Sequence, residues 1–278
     1  MTPDLHRSRT LVWALVVLTT IAAYALVVPL LAGGDPRLTD FAAAYQAPSS
    51  AHWFGTDSAG RDLFVRGATG LRVSLVIAAV CAAASTALGL TVGVAAGALG
   101  GGVDRIVMRL VDGINALPHL LLGIVIVALY PGNLAAIVAS IALTHWTQVA
   151  RIARAEVRPA RSATYIEAAR LAGATRTRVM ITHLVPAAAG QALVAVVLLL
   201  PHAIWHESTL SFLGLGLPPD QASLGTLLQD ARTTVLTGSW WTLTFPAAAL
   251  VITTLTVAAA GTTLRDRITP PLPERVTR

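Results

Sequence analysis

"YIEAARLAGATRTRVMITHLVP", residues Tyr165 to Pro186, places Glu167, Arg170, Arg176 and Arg178 between two long apolar runs of a chain that otherwise avoids charge. Arg151, Arg154, Arg158 and Arg161 lie just upstream. From Tyr165 to Gly173 the spacing predicts a helix with Tyr165, Ala168, Ala169 and Ala172 on one face and Glu167 and Arg170 on the other. Gly173 supplies a left-handed end to that helix. A second short helix is expected from Thr175 to His183, and Pro186 opens the next apolar run. Two short helices at a charged bend make a lever, with a small-residue face for a partner and charges around its rim. The plainer alternative is an arginine-rich loop that only fixes membrane topology. Topology alone, however, asks for no helix pair with this order of Glu, Ala, Ala and Gly.

The composition agrees with a membrane setting. The 278 residues are 55% hydrophobic and only 12% charged, with a mean hydropathy of +0.68, whereas soluble domains carry about 25% charged residues. The net charge of +6 comes with 5% aromatics and with spans no aqueous domain could leave exposed, so it is read as membrane orientation rather than as a nucleic-acid surface. All 20 basic residues are arginine. Without lysine there is no phosphate-binding G-x-x-x-x-G-K-[ST] loop, no Schiff base and no kinase-type phosphate contact. If ATP and Mg are used, another chain must bind them, and no cofactor is expected on this one. Cys81, the single cysteine, falls in an apolar run and is expected to pack as a small hydrophobe. A structural zinc site of two or more cysteines is ruled out.

A spanning helix needs about 20 mostly apolar residues. Six candidates follow: Leu11 to Leu31, Val73 to Leu99, a Pro-bent span from Asp104 through Pro118 to Tyr130, a short Leu134 to Val149 extended by the helix that follows, Ala187 to Trp205, and Trp240 to Thr263. The basic start before Leu11 (His6, Arg7, Arg9) also describes a signal peptide, but the apolar run is too long for one. With both termini in the cytoplasm, 15 arginines lie inside, Arg275 and Arg278 among them, against 5 outside (Arg37, Arg61, Arg66, Arg72 and Arg232). That is a clear positive-inside bias. The expected organisation is an N-terminal helix and extracytoplasmic segment over 1–72, then a five-helix core over 73–278 with the charged loop at about 151–186. Gly89, Gly93, Gly97 and Gly101 recur every four residues in the second span and predict a helix-packing ridge.

Other constellations carry weaker signals. Asp57 and Asp62 read as local caps, with Arg61 as an ion-pair partner, tying the outer loop to the entrance of span two; they do not form a nucleophile elbow. Asp112 is expected to pair with Arg109 or to sit in the headgroup layer. His202 and His206, four apart near the outer end of span five, are possible cargo contacts, with Glu207 as a third candidate. Imidazoles hydrogen-bonded between helices are the alternative there. His119 and His145 have no assigned role, and neither a metal site nor a catalytic group is expected.

Three stretches carry a resemblance. Glu167-Ala168-Ala169, three residues, Gly173, nine residues, then His183-Leu184-Val185-Pro186 resembles the EAA loop of bacterial ABC importer permeases, with His183 and Val185 standing where that loop has Ile and Leu. "HWFGTDSAGRDLFVRGATGLRVSL" (His52 to Leu75) and "HESTLSFLGLGLPPDQASLGTLL" (His206 to Leu228) look like the corresponding segments of the dipeptide, oligopeptide and nickel branch, with Leu224 where a Trp is usual. The resemblance implies an all-α, type I ABC importer permease fold in the bacterial cytoplasmic (inner) membrane. It further implies that Tyr165, Glu167, Ala168, Ala169, Arg170, Gly173 and Pro186 couple to an ATPase. The implied partners are a homologous permease subunit, two ATPase subunits that bind ATP and Mg, and an extracytoplasmic substrate-binding protein. The implied cargo is peptide, with nickel or another metal chelate as the alternative. An intramembrane enzyme would need a catalytic pair at mid-span, and a secondary transporter would need mid-membrane ionisable groups or repeated broken helices; only Asp112 and Pro118 lean towards the latter.

Overall fold

The structure, a computed structural model, describes residues 3–32, 37–234, 236 and 238–268, with side chains from residue 11 onward. The side chains of His6, Arg7 and Arg9, and all of Arg275 and Arg278, lie outside the described residues. Helix α1 (Pro3–Leu31) is followed, after a 3-10 turn at Phe41–Ala43, by α2 (Leu63–Leu99), α3 (Gly101–Asn115), α4 (His119–Ala128) and α5 (Leu134–Arg161). Then come α6 (Thr164–Leu171), α7 (Arg176–Val179), a π-helical turn at Met180–Leu184, α8 (Val185–Phe212), α9 (Leu224–Thr234) and α10 (Trp241–Ile268). The architecture is all-α, and the extended pairing among the described residues is an isolated bridge between Thr56 and Asp62.

Helix α2 begins ten residues before the apolar run that announces it. Asp62 caps it, its carboxylate accepting from the amides of Phe64 (2.8 Å) and Val65 (3.2 Å). Its 37 residues span roughly 55 Å at 1.5 Å per residue, well beyond a hydrocarbon core of about 30 Å. Hydropathy marks only the part inside the bilayer. Arg66 and Arg72 therefore sit on the helix rather than in a loop, and the expected division at 72/73 falls inside α2.

Among the described residues, four helices are long and apolar enough to cross a membrane: Leu11–Leu31, Leu63–Leu99, Arg176–Phe212 and Trp241–Ile268. Helices α3 and α4 meet at 84° and make a fifth if the bent pair is one span. The expected count of six is not reached on length and composition. Helix α5 is the difference: its apolar first half runs without a break into Arg151, Arg154, Arg158 and Arg161. Asn133 caps α5 by accepting from the amides of Ala135 (2.8 Å) and Ala136 (3.3 Å).

Helices α2 and α5 approach closely through the glycine ridge. A Cβ at Gly89 would stand 2.5 Å from the Trp146 carbonyl oxygen, one at Gly93 would stand 2.8 Å from the Ala150 Cα, and one at Gly97 would stand 2.8 Å from Val157. The fourth expected member departs from the row. Gly101 lies past the end of α2 at φ +54 with nothing within 4 Å, because the left-handed Gly100 (φ +66) turns the chain into α3. Ala25, Leu71, Ile77, Cys81, Val127, Ile137, Ile141 and Ile204 form the main core between α1, α2, α4, α5 and α8. Cys81 is fully buried there. The α3 elbow is pinned to α5 by two ion pairs. Arg154 binds Asp104 (2.6 Å from Nη2), and Arg151 binds Asp112 (2.6 Å). Asp112 thus pairs across helices and not with Arg109, because the 84° elbow lays α3 alongside the charged end of α5.

Candidate functional site: the exposed helix pair and its surroundings

The charged loop folds as a helix pair, held by one buried anchor. Ile166, in the first turn of α6, is fully buried against Val94, Ala153, Val157, Val179 and Leu184. This seat turns the other side of α6 outward, so that Tyr165, Glu167, Ala168, Arg170 and Ala172 are exposed and Ala169 is half-buried. Leu171 is 90% exposed, an apolar side chain with nothing of its own chain to cover it. Helix α6 ends at Gly173, whose φ of +87 is left-handed. There the Gly173 amide donates to the Arg170 carbonyl and the Ala174 amide to the Ala169 carbonyl, both at 3.0 Å. This paired closure is a Schellman cap. Thr175 then caps α7, its hydroxyl accepting from the Arg178 amide (3.2 Å).

The expected second helix, Thr175 to His183, is part of a longer element. The π-helical turn carries α7 into α8, with the Val185 amide donating to the Met180 carbonyl five residues back. Pro186 accounts for the wider turn, since it brings no N–H and its ring would press on the carbonyl four residues earlier in a regular helix. Pro186 itself is exposed. The Tyr165 and His183 rings lie 5.8 Å apart, bridging α6 and the π-helical turn. The sequence reading did not single out Ile166. Its signal was present as a large aliphatic residue between two polar turns.

Near the far end of α8 the structure gathers four histidines. The His145 ring lies 5.5 Å from His119, 6.3 Å from His202 and 4.8 Å from His206, centroid to centroid. His145 is buried, its Nδ1 lying 2.8 Å from the Thr144 hydroxyl and 3.0 Å from the Ile141 carbonyl. His202 and His206 thus share a face, as their spacing predicts, and His119 and His145 join them from α4 and α5. Among the described residues no group of three or more His, Cys, Asp or Glu could hold a metal ion. A cavity of about 330 Å³ lined by Val149, Leu198, Leu199 and His202 opens beside the cluster.

Glu207 does not belong with this group. It is fully buried, one oxygen accepting from Ser74 (2.8 Å) and the other from Ser211 (2.9 Å). Neighbouring positions on a helix diverge by about 100°, which turns Glu207 away from the histidine face. The Ser74 hydroxyl also accepts from the Leu224 amide (3.1 Å), so Glu207 ties α8 to α2 and to the start of α9.

The outer loop is fastened by a second polar network. Asp57 accepts from Arg61 Nε (2.8 Å) and from the amides of Ala59 (2.8 Å) and Arg61 (3.0 Å), and it also pairs with the buried Arg66. Arg66 reaches Asp230 of α9 at 3.4 Å. Burial pushes the Asp57 carboxyl up, but the Arg66 guanidinium, the Arg61 amide and the Arg61 charge outweigh it and hold the group below its ordinary value. At Asp230 burial prevails over the same two arginines, and its carboxyl is raised. Trp241 adds an indole N–H to the Thr56 carbonyl (3.1 Å). Asp57, Arg61 and Asp62 hold the loop to the entrance of α2, as their spacing suggests. Asp230 could not be paired with them from sequence because it lies 164 residues from Arg66.

Residues 89–272 match the family described as binding-protein-dependent transport system inner membrane component. The chain is 37% identical over 258 residues to the oligopeptide transport system permease protein OppC of Bacillus subtilis (strain 168), covering 93% of this chain and 84% of that protein. It is 40% identical over 265 residues to OppC of Escherichia coli (strain K12), covering 95% and 87%. It is 34% identical over 225 residues to the dipeptide transport system permease protein DppC of Bacillus subtilis (strain 168), covering 81% and 70%.

Proposed function

The chain belongs to the family of binding-protein-dependent transport system inner membrane components, and from that membership we propose that it is a permease subunit of an ATP-driven importer of peptides. The observation that carries the mechanism is the solvent-facing side of α6: Tyr165, Glu167 and Ala168 stand outward on a helix seated by Ile166 and continuous, through the Gly173 turn and α7, with a membrane span. A partner ATPase that grips this side moves α8 with it. Docked differently in two nucleotide states, it shifts the pathway between inward and outward openings, and it can do so only by its differential contact energy with the two.

This chain performs no covalent chemistry in that scheme. ATP and Mg are bound by two ATPase subunits, a homologous permease supplies the other half of the pathway, and an extracytoplasmic binding protein delivers cargo. Both termini and α6 face the cytoplasm, as the arginine distribution favours. The names of the relatives favour peptide over nickel chelate as cargo. Proteoliposomes holding the assembled complex, with ATP enclosed and the binding protein outside, test the reading. Peptide accumulation that requires ATP and the binding protein, and that survives collapse of the proton gradient, is the expected result. Uptake driven by a proton gradient without ATP would overturn it.

A further inference from the structure

A cavity of about 510 Å³ opens behind α6, between Leu99 at the end of α2, Arg161 at the end of α5, Arg170 on α6, and Arg176, Met180 and Leu184 along the start of the α7–α8 rod. An adjoining cleft of about 400 Å³ shares Arg161 and Arg170 and adds Arg158. Among the described residues, Arg161, Arg170 and Arg176 form no ion pair, and no carboxylate lines the larger cavity. The adjoining cleft holds two acids: Asp104 is already committed to Arg154 (2.6 Å), and Glu167 is exposed on α6 and forms no ion pair among the described residues. Three guanidinium groups around one cavity repel each other unless an anion sits between them, and their planar forks match phosphate oxygens.

The opposite wall is apolar. Leu99, Met180 and Leu184 continue the surfaces of two membrane helices to the level of the arginines. A docking protein's carboxylate would satisfy the rim and leave that wall bare. A molecule with a phosphate at one end and hydrocarbon at the other satisfies both. Basic pockets between membrane helices at the bilayer surface bind anionic headgroups in this way. We propose that this cavity is a binding site for an anionic phospholipid, its phosphate held by Arg161, Arg170 and Arg176 and its first acyl carbons lying on Leu99, Met180 and Leu184. Bound there, the lipid braces α6 from the membrane side and leaves Tyr165 and Ala168 free to meet a partner.

Native mass spectrometry of the assembled, delipidated complex tests this, with phosphatidylglycerol, phosphatidylcholine or inorganic phosphate added back. The wild-type complex is expected to retain phosphatidylglycerol over phosphatidylcholine, and Arg161→Gln with Arg176→Gln to weaken that retention by at least about tenfold. Arg176→Gln alone, at an exposed position on α7, gives a smaller loss if the double variant assembles poorly. Equal retention of the two lipids by the wild type overturns the proposal. So does release of phosphatidylglycerol by millimolar inorganic phosphate, which would make this a free-anion site. Loss of the ATPase subunits from the double variant with lipid retention unchanged would assign the arginines to the protein contact instead.

Discussion

Gly93 and Ala150 bring α2 and α5 together backbone to backbone: a Cβ on Gly93 would lie 2.8 Å from the Ala150 Cα. Neither partner can move aside by changing rotamer. The glycine ridge, expected from sequence as a helix-packing surface, is therefore used within the chain itself. Gly93→Leu is expected to destabilise the isolated chain by about 1–3 kcal/mol or more, the usual range for overpacking a filled contact. Gly102→Ala, at a helical position with nothing within 4 Å, is the control and should unfold like the wild type. Thermal unfolding of the detergent-purified chain reads both, and a wild-type midpoint for Gly93→Leu would refute the α2–α5 contact.

The Gly173 turn sets the coupling prediction. A non-glycine side chain at a φ of +87 is strained, although the space around it is open. Gly173→Asp is expected to leave insertion intact and to separate ATP hydrolysis from transport. Glu167→Arg, which reverses a charge on the exposed rim of α6, should do the same. Gly173→Asn should retain more transport, because Asn tolerates the left-handed region better than most side chains. Paired ATPase and uptake assays in proteoliposomes decide it. Normal coupling in both Gly173→Asp and Glu167→Arg would remove α6 from the coupling role.

Asp57 gives the outer network its pH dependence. Its folded-state carboxyl titrates below the ordinary value, so its contribution is complete above pH of about 3.9 and is lost as pH falls through the lower folded-state value. Asp57→Asn leaves the Arg66 guanidinium buried without its principal counter-ion, a change that costs about 3–5 kcal/mol when one member of a buried pair is removed. The stability gap between wild type and Asp57→Asn should stay flat from pH 7 to 5 and close only at more acid pH. A gap that closes between pH 7 and 5 would mean another group controls this loop.

The histidine cluster separates the two cargo chemistries. The double change His202→Ala with His206→Ala is expected to lower uptake modestly and equally for every cargo, because the imidazoles lie ring to ring between α4, α5 and α8 and serve their packing. Uptake of peptides and of nickel chelates, compared at equal expression, measures this. A selective loss of metal-dependent uptake would show instead that the imidazoles meet the cargo.

Much of this was legible in the sequence because local signals agree with the tertiary result. Gly173, Thr175 and Pro186 carry their backbone consequences wherever they occur, and they placed the turn, the cap and the start of α8. The four-residue glycine spacing read correctly up to Gly97. It failed at Gly101 because the left-handed Gly100 ends the helix between them, and spacing alone does not record where a helix stops. Hydropathy missed the first ten residues of α2, which leave the apolar slab while their backbone hydrogen bonds continue, whereas a helical extension of α5 beyond Val149 was expected. Pairings made across the bundle were out of reach. Asp112 with Arg151, Glu207 with Ser74 and the four histidines depend on how helices cross, which no local pattern encodes. The neighbouring identities of His206 and Glu207 suggested one site, and the turn of the helix divides them between two.

The run from Arg176 to Phe212, 37 residues with a single wide turn near one end, behaves mechanically as a stiff rod of roughly 55 Å at 1.5 Å per residue. Pivoted at its π-helical turn, such a rod magnifies what happens beneath it: a tilt of about 5° displaces the far tip of the 28-residue α8 by roughly 4 Å. The tip is not free, because Glu207 is stitched to Ser74 and, through it, to Leu224. Under the proposed function, a stroke delivered at α6 would reach the far end of this rod as a pull on α2 and α9 together.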